Sequence, residues 1–235
     1  MSGASKSGNA YESVVARALS VMRYMDAPVV VWGVGGSDKR APDIEAHVLD
    51  GPLVLEAKTR GAFEFGSKGF LYRNDRFELP DHPLFRACFP PEFRPFNGFV
   101  PAFARGDATQ ETLRRERKEQ KALGNPLDVR VRLDDPLAAS RFYAAKGVHY
   151  IQIEGYGLYR TILDDPRALG LPVLSMTMQV RYRIKTHKSN SKHSLQAQFV
   201  CFKKPERSPF DLDDPTRLPP GFSLPPVVSR FQTMA

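Results

Sequence analysis

Residues 42–58 read PDIEAHVLDGPLVLEAK, and the architecture of the chain can be worked out from them. Two runs with apolar residues at every second position, 44–48 and 53–58, flank the turn signal Asp50-Gly51, a pattern that predicts a β-hairpin. Because successive side chains of a strand point to opposite faces, one face of this hairpin is wholly apolar. That face consists of Ile44, Ala46, Val48, Leu53, Leu55 and Ala57.

The opposite face of the hairpin is predicted to collect charged groups. A turn of four residues suits Pro52, which cannot donate to the ladder, and in that register Glu45 lies opposite Glu56. The same register sets Asp43 opposite Lys58. Two carboxylates directly across a strand pair repel each other, so a hairpin with a purely structural role gains nothing from this arrangement.

Carboxylates beside an amine indicate metal-dependent chemistry. Mg²⁺ takes oxygen ligands, usually one or two carboxylates with waters and a substrate phosphate, so Asp43 and Glu56 are candidate ligands. Lys58 is on the same face, where its ammonium group can stabilise charge on a phosphate or orient an attacking water. These groups predict hydrolysis of a phosphodiester bond. The alternative interpretation is a surface hairpin whose charged residues are ordinary solvated neighbours.

The elements on either side of the hairpin complete a mixed α/β pattern. Helical spacing of apolar residues predicts a helix over 9–25, and a short apolar run predicts a strand over 29–32. Further along the chain, a helix is expected to open at Asp135 and to end at Gly147. The apolar run 148–153 then predicts another strand.

The charged residues of the hairpin carry a family resemblance. Pro42-Asp43, followed after a gap by Glu56-Ala57-Lys58, resembles the motif of the PD-(D/E)xK nuclease superfamily, to which most type II restriction endonucleases belong. The order of the predicted elements is similar to the αβββαβ core of that superfamily. The resemblance therefore implies an α/β (α+β) fold with a restriction-endonuclease-like core, in which helices flank a mixed central sheet.

The resemblance also implies roles for individual residues. It implies that Asp43 and Glu56 bind Mg²⁺, for which Mn²⁺ can substitute, and that the backbone carbonyl of Ala57 is a further ligand. Lys58 is implied to be the catalytic lysine. Family members often place a glutamate of the first helix near the metal, and Glu12 occupies that position. The alternative role of Glu12 is in a capping box, because Asn9 stands three residues before it.

The chain is expected to form a single nuclease domain with added segments. Ten of its 16 Phe lie in 62–105, a stretch with little periodicity that predicts an irregular Phe/Pro-rich insertion. The proline-rich tail is expected to lie over the surface or to be partly disordered. The parts are a core over 9–60 and 136–160, an insertion over 62–125, a C-terminal basic β-hairpin over 173–203, and a tail over 205–235.

Positive charge is concentrated in the second half of the chain. The net charge is +1 over 1–105 and +7 over 106–235, and residues 181–204 contain seven Lys and Arg and no acid. A two-stranded ribbon with one polar face fits a DNA groove or follows its backbone. The predicted nucleic-acid-binding residues are Gln179, Arg181, Arg183, Lys185, Lys188 and Lys192. The alternatives are an ordinary half-buried sheet and, for the polar helix predicted over 110–123, a solvated surface.

The sequence predicts a Mg²⁺-dependent endonuclease that acts on double-stranded DNA, most like a type II restriction endonuclease. The first alternative is a structure-selective, repair or recombination nuclease of the same superfamily, such as a junction resolvase or a mobile-element nuclease. The second is a non-catalytic DNA-binding module on a nuclease-like core. Cutting both strands usually needs two active sites, which predicts a homodimer.

Composition excludes several other classes. The chain has 235 residues, a net charge of +8 and two Cys, too few for a disulfide framework or a cysteine-built metal site. It has neither an apolar stretch of about 20 residues nor a secretory signal, so a cytoplasmic protein without a membrane partner is expected. No nucleotide cofactor is expected either, because the glycines after the strand at 29–32 lack a dinucleotide-binding pattern.

Overall fold

The computed structural model describes residues 3–34, 42–49, 51–60, 64–78, 100–106, 109–122, 128–186 and 193–225. Within these residues the fold is mixed α/β, as predicted, with more strand than helix and three sheets. The described helices are α1 (Gly3–Ser20), α2 (Ala102–Arg105), α3 (Gln110–Ala122) and α4 (Ala138–Ala144), with a 3₁₀ turn at Pro215–Arg217. The described strands are β1 (Arg23–Tyr24), β2 (Ala27–Pro28), β3 (Val30–Val34), β4 (Ile44–Val48), β5 (Gly51–Lys58), β6 (Glu64–Arg73), β7 (Arg76–Glu78), β8 (Asp128–Arg132), β9 (Tyr150–Ile153), β10 (Gly157–Arg160), β11 (Thr177–Thr186), β12 (His193–Lys203) and β13 (Phe222–Ser223).

The chain, which the sequence predicts to form a single domain, divides into two compact units. Unit 1 consists of Met1–Ala62, Ser140–Leu174 and Pro205–Ala235. Unit 2 consists of Phe63–Ala139 and Ser175–Lys204.

Unit 1 contains a five-stranded mixed sheet of order β10-β9-β5-β4-β3. β3, β4 and β5 pair antiparallel in succession, whereas β9 runs parallel to β5 and β10 runs antiparallel to β9. α1 precedes this sheet in the chain, and α4 leads into β9. A small sheet of order β13-β1-β2 completes the unit.

The predicted apolar face of the β4–β5 hairpin is buried. All six of its residues are at most 5 % exposed, and they belong to one hydrophobic cluster. Tyr11, Val15 and Leu19, spaced at helical intervals on α1, pack in the same cluster. Burial of this face against α1 fixes the hairpin in unit 1, and the prediction of the two faces is confirmed.

The register of the hairpin differs from the predicted one by two residues. Val48 pairs with Gly51 next to the turn, so that two residues and not four connect the strands. Glu45 consequently lies opposite Val54 and not opposite Glu56. The predicted pairing of two carboxylates is therefore wrong, and the repulsion inferred from it does not arise.

The tighter turn has a local cause. Leu49 adopts a left-handed φ of 52°, which allows the chain to reverse within two residues. Pro52 is tolerated because it pairs with His47, next to the pair that closes the turn, where the antiparallel ladder forms no hydrogen bond. Asp43 precedes the first paired residue, so its predicted pairing with Lys58 is also wrong. Because side chains alternate with a period of two, a shift of two residues keeps every side chain on its face.

The helix predicted over 9–25 has different ends. α1 ends at Ser20, and Met25 and Asp26 form a turn with φ values of 47° and 63° between β1 and β2. α1 begins at Gly3, so Asn9 lies inside the helix and cannot be its N-cap. The capping-box interpretation of Glu12 is therefore wrong.

The first part of the proline-rich tail is packed into unit 1. Within 205–225, β13 pairs with β1, and Leu212 is buried in the hydrophobic cluster. Asp211 Oδ1 accepts a hydrogen bond of 2.7 Å from Gln152 Nε2 on β9. The prediction that this segment lies over the surface or is disordered is therefore wrong for 205–225, whereas 226–235 is outside the described residues.

Unit 2 contains a five-stranded antiparallel sheet of order β7-β6-β12-β11-β8. One face is apolar and buried, with Met178, Val180, Tyr182, Ala197 and Phe199 at its centre. The long hairpin predicted from the alternation of its residues is confirmed as β11 and β12.

Two parts of unit 2 differ from the sequence prediction. Residues 64–78 form the regular hairpin of β6 and β7, so the prediction of an irregular insertion is wrong for this stretch. Residues 79–99 of the predicted insertion are outside the described part of the chain. The strand β8 was not predicted, because a run of three polar and two apolar residues is too short to distinguish from a loop.

Candidate active site

Three of the residues predicted to carry the chemistry lie together on the charged side of the β4–β5 hairpin. Lys58 Nζ is 2.6 Å from Glu56 Oε1 and 3.3 Å from Asp43 Oδ2. Because both carboxylates contact the same nitrogen, the distance between Asp43 Oδ2 and Glu56 Oε1 is at most the sum of these two distances. Asp43 and Glu56 therefore point to one place, as two ligands of a single ion must.

The position of Asp43 is fixed by the backbone of β5. Asp43 Oδ2 accepts a hydrogen bond of 3.1 Å from the backbone N–H of Ala57. The ladder between β4 and β5 stops at Leu55, and the carbonyls of Val54 and Lys58 accept hydrogen bonds from the β9 side. Because the backbone groups of neighbouring residues face opposite sides of a strand, the N–H and the carbonyl of Ala57 both face Asp43.

Glu12 on α1 belongs to the same electrostatic cluster. Burial raises the pKa of Glu12, the Asp43 carboxylate raises it further, and the Lys58 ammonium opposes them. Interactions between solvent-exposed charges are largely screened beyond about 10 Å at ordinary ionic strength. The predicted site glutamate thus lies within electrostatic reach of the other three groups.

A second lysine, which the sequence did not reveal, completes the cluster. Lys146 Nζ, just beyond the end of α4, is 2.9 Å from Glu56 Oε2. A cation in the last turn of a helix is common because it interacts favourably with the helix dipole, so nothing in the sequence distinguished Lys146 from an ordinary helix-terminal residue. Its partner is 90 residues away in the chain, and only the pairing of β5 with β9 brings them together.

The aromatic ring of Tyr143 lies beside both ammonium groups. Its centroid is 5.5 Å from Lys58 Nζ and 5.2 Å from Lys146 Nζ, distances at which a cation is attracted to the face of the ring. Tyr143 is 1 % exposed, and burial raises the pKa of its hydroxyl well above the ordinary value. The phenol is therefore neutral and serves as an apolar wall for the two lysines.

The pKa shifts follow from burial and from close charges. Burial acts to lower the pKa of Lys58, but the nearby negative charges of Glu56 and Asp43 oppose it, and this pKa lies well above the ordinary value. The pKa of Asp43 is raised, chiefly by burial and against the effect of Lys58. The lysine is thus harder to deprotonate, and the aspartate harder to ionise, than the same groups in water.

The donor set fits a hard divalent ion. Carboxylate and carbonyl oxygens are the ligands that Mg²⁺ prefers, and Asp43, Glu56 and the carbonyl of Ala57 supply them. Among the described residues, no group of three or more His, Cys, Asp or Glu is arranged to hold a metal ion. In this conformation the ammonium groups of Lys58 and Lys146 contact the two oxygens of Glu56.

Four of the six predicted nucleic-acid-binding residues lie on β11 of unit 2, and the described side chains among them are only partly open to solvent. Arg181 and Arg183 are half-buried, and Gln179 is 8 % exposed. Arg183 Nε and Nη2 donate to Gln196 Oε1 on β12. This face is therefore buried at Gln179. The observation agrees better with the alternative interpretation, an ordinary half-buried sheet.

The other members of this predicted set are less completely described. Lys185 lies in β11, but its side chain is outside the described structure, as are Lys188 and Lys192 altogether. Two exposed arginines that the sequence did not identify, Arg130 and Arg132, lie on the neighbouring strand β8.

No family model, curated protein or solved structure matches this chain. Among the described helices, none is both long enough and apolar enough to cross a membrane.

Proposed function

We propose that the chain is a Mg²⁺-dependent endonuclease of double-stranded DNA, most like a type II restriction endonuclease. The observation that carries the proposal is the convergence of Asp43, Glu56 and Lys58 on one point, within 3.3 Å of Lys58 Nζ. The chain order α1, β3, β4, β5, α4, β9, with β9 parallel to β5, supports it because this order is similar to the αβββαβ core of the PD-(D/E)xK superfamily.

The residues of the site have separate roles in this proposal. Asp43, Glu56 and the carbonyl of Ala57 would hold the ion, with Glu12 adding negative charge nearby. A bound Mg²⁺ supplies a Lewis acid that activates water and offsets charge on the phosphate. Lys58 would donate hydrogen bonds to the phosphate or to the attacking water, a role that its raised pKa in the metal-free protein favours.

Digestion of a supercoiled plasmid with the purified protein tests the proposal. With MgCl₂ present, cleavage to discrete linear fragments is expected, and EDTA is expected to abolish it. Cleavage restricted to branched DNA would replace the restriction enzyme with a junction-selective nuclease of the same superfamily. Binding of DNA without cutting in either buffer would leave a non-catalytic DNA-binding module and contradict the proposal.

A homodimer is part of the proposal, because two active sites are usually needed to cut both strands at one position. A cytoplasmic location is part of the same proposal. Sedimentation of the protein with and without duplex DNA tests the dimer. A monomer in both samples, together with double-strand cleavage, would contradict it.

The arginines of β8 and β11 are the proposed contact with the DNA backbone. Arg130 is paired directly with Arg181, and Arg132 is paired with Gln179 on the same face. These pairings bring the positive charges of β8 and β11 together on neighbouring strands. Such a concentration of positive charge favours a polyanion, because each phosphate that an arginine neutralises releases a counterion.

Replacing Arg130 and Arg132 together by alanine is expected to weaken binding of a DNA duplex about tenfold or more at low salt. The slope of the logarithm of affinity against the logarithm of salt concentration is expected to fall by about two, one for each lost phosphate contact. Fluorescence anisotropy in EDTA measures both quantities without cleavage. The matched control is Arg114→Ala on the exposed surface of α3. An unchanged slope in the double variant would remove β8 from the interface.

A further inference from the structure

We propose that Lys146 is a positioning residue of the site, which holds the buried Glu56 carboxylate through one oxygen so that its other oxygen stays turned toward Asp43 and Lys58. Its positive charge offsets part of the negative charge of the three carboxylates, which a divalent cation would also offset once bound. The proposal rests on the proposed function only in assigning Glu56 to a cation site.

The contacts of Glu56 define its orientation. Lys58 Nζ is 2.6 Å from Oε1, and Lys146 Nζ is 2.9 Å from Oε2. The side chain of Glu56 is 4 % exposed and that of Lys146 is 12 % exposed, so water cannot readily replace either contact. Because a different lysine holds each oxygen, the carboxylate cannot rotate without losing one of its charged partners.

The backbone around Lys146 is fixed by the end of α4. The N–H groups of Lys146 and Gly147 donate to the carbonyls of Tyr143 and Ala144, and Gly147 adopts a φ of 76°. This left-handed glycine ends the helix. Lys146 follows Tyr143 by three residues, and its ammonium nitrogen lies 5.2 Å from the centroid of the ring that Lys58 also contacts. The end of the helix, the Tyr143 ring and the ion pair together direct the side chain of Lys146 toward Glu56.

The charge balance of the cluster explains why a second lysine is needed. Three carboxylates, those of Glu12, Asp43 and Glu56, share two ammonium groups. Removing one partner of a buried ion pair leaves an uncompensated charge, which strongly destabilises the folded state. A divalent cation that binds the folded state restores the balance and stabilises it by mass action. Without Lys146, the stability of the protein is therefore expected to depend on the cation.

Thermal unfolding of Lys146→Met tests this inference, since methionine retains the apolar stem and removes the charge. In EDTA the melting temperature of this variant is expected to lie about 10 °C below that of the wild type. Addition of millimolar MgCl₂, without DNA, is expected to recover more than half of the loss while moving the wild type less. Lys146→Arg, which keeps the charge, is expected to melt close to the wild type in both buffers. Lys118→Met, at an exposed site on α3, is the matched control.

The possible outcomes separate this inference from the proposed function. Recovery of Lys146→Met by Mg²⁺ supports the inference even if the wild type cleaves no DNA, in which case only the proposed function fails. A melting temperature equal to that of the wild type in EDTA overturns the inference. So does a loss that Mg²⁺ does not restore, even where the wild type cleaves DNA. If Lys146→Met cannot be purified in EDTA, solubility in MgCl₂ supports the inference, and insolubility in both buffers overturns it.

Discussion

Lys58→Met is expected to lower the rate of Mg²⁺-dependent DNA cleavage by about a thousandfold, the effect of removing a positioned charged group from a reacting centre. Lys58 Nζ contacts both predicted metal-ligating carboxylates, so it lies where the proposed function requires the scissile phosphate and the attacking water. Methionine keeps the apolar stem against the Tyr143 ring but supplies no hydrogen-bond donor. Single-turnover cleavage of a labelled duplex at saturating protein measures the rate of the chemical step.

The same variant is expected to bind DNA nearly as tightly as the wild type. Lys58 is mostly buried within the cluster, with its side chain 17 % exposed, and contributes little to the surface that first meets the duplex. Anisotropy in EDTA measures this affinity, and Lys118→Met controls for the loss of one positive charge. Unchanged cleavage by Lys58→Met would remove this lysine from the mechanism. Loss of binding equal to the loss of cleavage would make it a binding residue.

The faces of the central hairpin could be predicted from sequence, whereas its register could not. Face assignment depends only on the alternation of side chains, and a shift of two residues preserves that alternation. The register depended on the turn, and the turn contains Leu49 at a φ of 52°. A left-handed leucine costs roughly 1–2 kcal/mol, so no local preference predicts it. In the observed register Ile44 pairs directly with Leu55 in the buried core, and such packing depends on the whole fold.

The convergence of Asp43, Glu56 and Lys58 could be anticipated because all three lie on one hairpin. The contribution of Lys146 could not be anticipated, because its contact with Glu56 depends on how α4 and β9 pack against β5. The packed segment 205–225 was missed for a similar reason. Its proline content indicates an exposed chain, yet Asp211 and Leu212 bond to a buried Gln152 that is distant in sequence. Local composition predicts backbone stiffness but not which distant partner a segment meets.

Asp43→Asn is expected to abolish Mg²⁺-dependent cleavage, with a loss of about a thousandfold or more, because a neutral amide is a much weaker ligand for a hard cation. The variant retains a side-chain oxygen that can accept the hydrogen bond from the backbone N–H of Ala57. The local backbone is therefore expected to stay in place. Calorimetric titration of the variant with MgCl₂ is expected to show weaker binding than the wild type, and equal binding would exclude Asp43 as a ligand.

The same substitution is expected to raise the melting temperature in metal-free buffer at neutral pH. The pKa of Asp43 is raised in the folded state, chiefly by burial, so the folded protein binds this proton more tightly than the unfolded chain does. The stability contributed by the protonated carboxyl is complete below the unfolded pKa of about 3.9 and is lost as pH rises through the higher folded pKa. Asparagine does not ionise, so the gap between variant and wild type should open above about pH 4 and then become constant.

Melting temperatures in EDTA from about pH 4 to about pH 8 measure this gap, and Asp134→Asn at an exposed position corrects for the loss of one surface charge. A lower melting temperature for Asp43→Asn at neutral pH would mean that the ion pair with Lys58 outweighs burial. A higher one, combined with the loss of cleavage, would separate the two roles of the residue. A carboxylate whose removal stabilises the fold and ends the reaction contributes to the activity of the protein at the expense of its stability.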